Sequence, residues 1–482
     1  MKALEKGWIV VCAGVGINLC LGVLYTWSLF TSALTNKWAW SAAEALTPYA
    51  IALGMFALMM VFAGRLQDRI GPRVAASIGG ILVGAGMILS SFAPKPNAAA
   101  VETFTALKPL ADKATAPGAT AAVVASFETT SKAAFVAAKA ILVPQVGSAL
   151  PWLAIGFGLL TGAGIGFAYA AATPAAVKWF ASTKKGMISG IVVAGFGLAS
   201  VYTAPLTGNL LATAGVNNTF LYLGIGFLVA TVILAQLLRN PPADYVPAAH
   251  VNVPQGANAP KAAHREYTWR EMVRTPQFYM MWVMYALAAG AGLMVVGIVA
   301  KYALGVEQIA GQMTAITDGF KGGGMDWVAK AGATFTIVMA LAIGNGIGRP
   351  LTGILSDRIG RTRTMMGVFV AQALLLLGIG FVTDFTVLLF VAAGIGAMYG
   401  ANLTLFPAMT YDYFGTKNAG VNYGLIFTAW GAGGVLGSIG AGFAKDVFGS
   451  FQLAFYVAAA LLVVATVLAV VIKAPKAPVA AS

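Results

Sequence analysis

The sequence predicts an all-α membrane protein, with twelve transmembrane helices in two six-helix halves. Three observations predict it. Of 482 residues, 59% are hydrophobic and only 10% charged, where an ordinary soluble chain carries about 25% charged residues. Twelve apolar runs are each long enough to cross about 30 Å of hydrocarbon, which takes roughly 17–25 residues. A motif also recurs: GRLQDRIG at 64–71 returns as GILSDRIG at 353–360, with six of eight positions identical at an offset of 289.

The first six runs fall near 8–30, 45–63, 74–93, 151–174, 186–206 and 219–238. The second six fall near 278–300, 331–355, 364–383, 385–408, 419–443 and 451–472. The leading MKALEKGW enters a full-length span with no small-residue cleavage site, so it is expected to stay as the first helix. The octapeptide follows the second run in one half and the eighth in the other, which are equivalent places. A weaker echo matches Phe180, Gly186 and Gly190 to Phe414, Gly420 and Gly424 at an offset of 234. The chain therefore divides into an N-terminal half (1–238), a linker (239–277) and a C-terminal half (278–482).

The linker is Pro-rich, Ala-rich and basic. Its first part reads as flexible, YTWREMVRTPQ as a short interfacial helix, and His250 and His264 as incidental. Residues 94–150 read as a solvated spacer between spans. The patch SFETTSKAAFVAAKAILV within it has the pattern of an amphipathic helix, which would instead make the segment a cap. Residues 302–330, with the turn-forming run GFKGGGMDW, carry the same two readings.

The net charge of +14 invites a nucleic-acid reading, but its distribution argues against one. With both termini placed inside the cell, the inner segments hold nineteen bases and seven acids, and the outer ones ten bases and nine acids. Arg349 accounts for the remaining base. Basic residues near span ends set orientation, so the asymmetry predicts a multi-pass protein of the cell membrane with cytoplasmic termini. Cys12 and Cys20 lie eight residues apart, roughly 12 Å along one helix, too far for a disulfide.

Arg349 is the most informative residue, a permanent cation within the otherwise uncharged 331–355 run. A guanidinium at mid-membrane costs roughly 2.5–3.5 kcal/mol on insertion scales and usually faces a bundle interior or an aqueous cavity. No carboxylate is expected on its own helix to neutralise it. Gly344, Gly346, Gly348 and Pro350 flank it and are expected to weaken the helical ladder, as backbone lining a transporter cavity does. The expectation is the floor of an anion-binding pocket.

In the repeated motif, Gly64 and Gly353 permit close helix approach, Asp68 and Asp357 can pair with bases or cap a neighbouring helix end, and Gly71 and Gly360 turn the chain. The basic residues Arg69, Arg73, Arg358, Arg361 and Arg363 surround them. Here the sequence resembles the major facilitator superfamily, and the resemblance implies a cytoplasmic latch between conformations.

Within that superfamily LCLGVLYTWSLF, LLRNPPADY, GNGIGRPLTGILSDRIGR and YDYFGTKNAGVNYGLIFTAWGAGG resemble the oxalate:formate antiporter family, which is related to the monocarboxylate transporters. The likeness covers nearly all of the membrane core but not 94–150. It implies that Arg349 is the family's anion-binding arginine, with Asn345 one turn before it on the same face. Two departures matter. Oxalate-exchanging members add a lysine in the eleventh helix, whereas no Lys or Arg falls between 418 and 443 here, and Phe427 and Trp430 hold its centre. The related animal transporters place an aspartate where this chain has Asn345. One guanidinium forks well onto one carboxylate, so the expected ligand is a small monocarboxylate such as lactate or formate, moved with a proton or against a counter-anion. Oxalate:formate-type exchange is the alternative.

The resemblance also places Tyr25, Tyr169, Tyr399 and Trp430 on cavity-lining helices, while Trp27, near the outer end of its helix, reads as an interfacial belt residue. Glycines 158, 162 and 166, at four-residue spacing in an apolar run, read as close-packing positions rather than a phosphate loop. An enzyme would need carboxylates, histidines or a nucleophile deep in the spans, and a sensor a large cytoplasmic domain. Neither is read here. No metal, cofactor or nucleic acid is expected, and the chain is expected to act as a monomer in the bilayer.

Overall fold

The computed structural model describes residues 3–115, 120–242, 245, 266–304, 306–319, 334–448 and 451–475, among which no strand occurs. Twelve helical segments are long and apolar enough to cross a bilayer. Helix is forced there, because hydrocarbon offers backbone groups no external partners. Broad apolar faces such as Ile225, Val229 and Ile233, or Val463, Val467 and Val470, are exposed, as lipid-facing surfaces should be. Even parity puts both ends of the chain on one side, called here the terminal face.

The first span is α1 (Ala3–Leu21), a 3₁₀ stretch (Gly22–Thr26) and α2 (Trp27–Lys37). Then come α3 (Ala42–Ile70) and α4 (Pro72–Ser91), with Gly71 between them at φ 93°. The 94–150 segment is helical: α5 (Ala98–Thr115), α6 (Ala121–Thr130) and α7 (Lys132–Leu153). The spacer expectation is therefore corrected. Phe104, Ala138 and Leu142 form a small core with Ala39, so the segment buries apolar surface of its own. It packs on the N-terminal spans.

A π-helical stretch (Ala154–Thr161) joins α7 to α8 (Gly162–Val177). The resulting rod covers 46 residues, roughly 69 Å at 1.5 Å per residue, and so projects well beyond the bilayer. Gly158, Gly162 and Gly166 all lie against α3, at Ile51, Ala52 and Phe56, as their spacing predicted. Next come α9 (Lys185–Thr213) and α10 (Gly215–Ala235).

The linker yields one short helix, α11 (Trp269–Met272), with a Thr268–Glu271 capping box. His250, His264 and the run GFKGGGMDW lie outside the described residues. The second set of spans is α12 (Pro276–Leu304), α14 (Thr334–Ile359), α15 (Arg361–Ile379), α16 (Phe385–Phe414), α17 (Ala419–Phe448) and α18 (Gln452–Val471). A non-spanning helix, α13 (Glu307–Gly319), precedes α14.

Two helix pairs carry the main packing between the two sets of spans, α3 with α17 and α9 with α14. Glycine makes both possible: a Cβ on Gly64 would strike the backbone at Gly420, and one on Gly353 the backbone at Gly186. The internal echo is thus a spatial one.

Two expectations are corrected. The 344–350 segment is not irregular, because α14 runs unbroken from Thr334 to Ile359. Its glycines serve packing instead, with Gly344 and Gly348 against Ala393 and Ala397 of α16 and Gly346 against Leu198 of α9. Trp27 is not a belt residue. It is 2% exposed, stacks on Phe157 at 4.2 Å and donates its indole N–H to the Ala45 carbonyl at 2.9 Å. Cys12 and Cys20 are both free thiols.

Candidate binding site

Arg349 lies fully buried in the middle of α14, with no exposed surface. Its Nε donates to Asn345 Oδ1 at 3.0 Å and its Nη1 to the Val193 carbonyl of α9. Nη2 has no hydrogen-bond partner among the described residues. The α14 helix is longer than its apolar run and includes Asp357, two turns on, but that carboxylate is engaged elsewhere. The guanidinium is therefore held by neutral oxygens with one donor edge left over. Such a buried cation is strongly disfavoured unless an anion completes it. Gly197 faces the guanidinium carbon, so a side chain there would crowd the site.

Around this centre the structure gathers the aromatic residues the sequence singled out. Tyr25, Tyr399 and Trp430 form a hydrogen-bonded row: the Trp430 indole donates to Tyr399 Oη at 2.9 Å, and Tyr399 Oη lies 3.4 Å from Tyr25 Oη. Tyr25 reaches across because it sits on the 3₁₀ stretch of the first span, a tightening that re-aims side chains. Phe427 stacks on Trp430, with centroids 5.1 Å apart, and also meets Tyr169 at 5.7 Å. Tyr169 is buried, its hydroxyl near that of Tyr423 but without a well-aligned hydrogen bond among the described residues.

Sequence reasoning missed several members. Val193 contributes only a carbonyl, invisible to any motif. Phe56 and Phe196, which wall Tyr169 at 5.4 and 5.6 Å, look like ordinary core phenylalanines. Their only signal was position, on the helices that carry Gly64 and Gly190.

Nearer the terminal face the repeated aspartates cross between the two sets of spans. Asp68 of α3 accepts from the amides of Gly420 and Val421, at 3.2 and 3.0 Å, at the start of α17. Asp357 of α14 accepts from Gly186 and Met187, at 2.9 and 2.8 Å, at the start of α9. Each carboxylate thus meets the positive end of a helix in the opposite set. Gly360, at φ 95°, turns the chain after its aspartate as Gly71 does.

The two copies differ in their bases. Arg361 pairs with Asp357 at 2.6 Å and Asp412 at 2.8 Å, and Lys185 approaches Asp412 at 3.4 Å. At the place corresponding to Arg361 the first copy has Pro72, and at that of Asp412 it has Lys178. Burial pushes the Lys178 amine below the ordinary lysine value, opposed by the nearby charges of Asp68 and Glu266. Arg69, Arg73 and Arg358, expected in the latch, lie exposed beside this network.

The described linker ends also dock here. Tyr245 Oη donates to the Trp179 carbonyl at 3.1 Å, and Tyr267 packs on Phe414 while its carbonyl accepts from Asn418 and Asn422. No cluster of three or more His, Cys, Asp or Glu side chains suited to a metal occurs among the described residues.

A multi-pass membrane protein with two pseudo-equivalent sets of six spans, paired crossing aspartates and a buried central cation has the build of an alternating-access transporter. The Major Facilitator Superfamily profile matches residues 129–320 and 328–482, and the chain belongs to that family. The oxalate:formate antiporter of Oxalobacter formigenes is 25% identical over 475 residues, 97% of this chain and 91% of its own length. An uncharacterized MFS-type transporter of Escherichia coli K12, YhjX, is 27% identical over 433 residues, 89% of this chain and 86% of that protein. Among solved structures, FucP in its outward conformation matches with TM-score 0.59 at 12% identity, over 96% of this chain and 98% of that one. The proton:xylose symporter XylE matches with TM-score 0.60 at 11% identity, over 97% and 95%. These two share the fold.

Proposed function

We propose that this chain is a secondary active transporter of small monocarboxylates such as lactate or formate, working by proton symport or anion exchange. The observation that carries the reading is the free Nη2 edge of the fully buried Arg349. A carboxylate would complete that edge, and the Tyr169 hydroxyl, close enough to Arg349 to feel its charge, is a second donor. The surrounding rings accept the substrate's apolar remainder. Trp430 and Phe427 offer no second charge, so a dicarboxylate would leave one carboxylate buried without a cation. Oxalate:formate-type exchange, which the name of the Oxalobacter relative brings forward, is the second reading.

In this reading the terminal face is cytoplasmic, the protein lies in the cell membrane as a monomer, and the crossing aspartates latch the cytoplasmic side. The substrate carboxylate neutralises Arg349, so the loaded carrier reorients more readily than the empty one. The chain carries solute and performs no covalent chemistry. Purified protein in proteoliposomes, loaded with labelled lactate, provides the test. Formate and unlabelled lactate should compete well and oxalate poorly, and counterflow should exceed net uptake without a pH gradient. Oxalate binding more tightly than every monocarboxylate tried would overturn the substrate assignment.

A further inference from the structure

Between Arg349 and the terminal face, three tyrosines from the C-terminal spans meet: Tyr285 on α12, Tyr411 on α16 and Tyr423 on α17, all buried. Tyr285 Oη and Tyr423 Oη are 3.4 Å apart, a long hydrogen bond like that between Tyr25 and Tyr399, where two hydroxyls usually sit about 2.7–2.8 Å apart. Tyr411 Oη has no partner among the described residues, although its ring lies 6.4 Å from that of Tyr423. Phe427 and Tyr169 lie between this group and Arg349, and the Tyr169 side chain reaches that of Tyr423. The Phe427 ring contacts Tyr285 at 6.2 Å and Tyr423 at 5.7 Å on one side, and Trp430 and Tyr169 on the other. Since α17 rises from the terminal face, Tyr423, Phe427 and Trp430 sit on successive turns, roughly 6 and 4.5 Å apart along the axis.

Burying hydroxyls without good partners is unfavourable, and phenylalanine would fill the same volume without that cost. The Tyr411 hydroxyl is therefore unaccounted for by packing in this conformation, and the Tyr285 and Tyr423 hydroxyls have only each other's long bond and the approach of Tyr169. All three belong to one set of spans, and the other set faces them with α3, whose Met60 lies against Gly424 beside Tyr423, and with Tyr169 of α8. Release of Asp68 from the α17 amides frees the α3 part of this cover. The positions corresponding to Tyr411 and Tyr423 in the N-terminal half are Val177 and Ser189, so the group is not a remnant of the repeat.

We infer that Tyr285, Tyr411 and Tyr423 form a second carboxylate-binding station, reached only when the terminal face opens and set off from Arg349 by the Phe427 and Tyr169 rings. Neutral hydroxyl donors hold an anion more weakly than a guanidinium does. The station thus offers a substrate that has left Arg349 a weaker stopping point, from which it is released to the terminal face without being trapped. This rests on the monocarboxylate reading above.

The test uses the full chain with Tyr411→Phe and Tyr423→Phe, singly and together, in right-side-out and inverted vesicles with labelled lactate. Half-saturation measured from the terminal face should rise by about fivefold per lost hydrogen bond. Half-saturation from the opposite face should stay within about twofold, and the thermal midpoint of Tyr411→Phe should not fall, since that change removes an unsatisfied hydroxyl. Variants unchanged at the terminal face, or weakened equally at both faces, would overturn the second station alone. A parent protein that exchanges no monocarboxylate at all would overturn the substrate reading and this inference with it.

Discussion

Asp357→Asn should release the terminal face more strongly than Asp68→Asn, and the structure sets the scale. Asp357 accepts two amide hydrogen bonds, at 2.9 and 2.8 Å, and an ion pair at 2.6 Å. A hydrogen bond to a charged group contributes about 1.5–3 kcal/mol. Asparagine keeps one acceptor, so roughly one amide bond and the pairing with Arg361 are lost. Arg361 retains Asp412, which limits the damage. The net cost is about 2–4 kcal/mol, or roughly 30- to 1,000-fold in the closed-to-open equilibrium.

Asp68 makes longer amide bonds, at 3.2 and 3.0 Å, and its nearest side-chain partner is the neutral Gln67 amide at 2.6 Å. Its removal should shift the equilibrium by about tenfold. The assay is the alkylation rate of a cysteine at Ser189, fully buried on α9, by an impermeant maleimide applied to the terminal face, with Cys12 and Cys20 replaced. An unchanged rate in Asp357→Asn, or a larger effect from Asp68→Asn, would refute the latch reasoning.

Other outcomes follow from the packing and the topology. Gly344→Ala places a methyl group against the Ala393 backbone of α16 and should cost about 1–3 kcal/mol, whereas Gly54→Ala meets open space and should be neutral; thermal midpoints in detergent check the pair. Trp27→Ala should lower the midpoint by the equivalent of about 3 kcal/mol, and Trp27→Phe by about 1 kcal/mol through the lost indole hydrogen bond. Equal effects from the two would contradict the stacked placement. Cysteines at Ala121 and at Thr268 should label from opposite faces of oriented vesicles, with Thr268 on the cytoplasmic side; labelling of both from one side would break the topology.

Much of this architecture was legible because lipid and repetition write themselves into sequence. Span length follows from hydrocarbon thickness, and the duplicated aspartates pointed to pairing with basic residues or helix capping, of which the crossing caps are the form both copies take. Arg349 announced itself because a cation in an apolar run has few bland explanations. The remainder needed three dimensions. Glycines 344, 346 and 348 signal only a missing Cβ, and whether that loosens a helix or admits a neighbour depends on what lies opposite. Trp27 near a span end is ambiguous between lipid interface and core until Phe30, Phe157 and Phe220 are placed around it. Val193 acts through its backbone, which no side-chain pattern records. The Tyr285, Tyr411 and Tyr423 group joins three separate spans, so no local spacing could reveal it.

The central claim is that Arg349 is the anion-binding group, and ligand-dependent thermal stabilisation of Arg349→Gln tests it most directly. A ligand that binds only the folded protein raises its stability in proportion to the logarithm of its concentration over Kd. Lactate and formate should raise the parent's midpoint, should do so weakly in Arg349→Lys, which keeps charge but loses the planar fork, and should leave a folded Arg349→Gln unchanged. A folded Arg349→Gln variant that is stabilised like the parent would contradict the account.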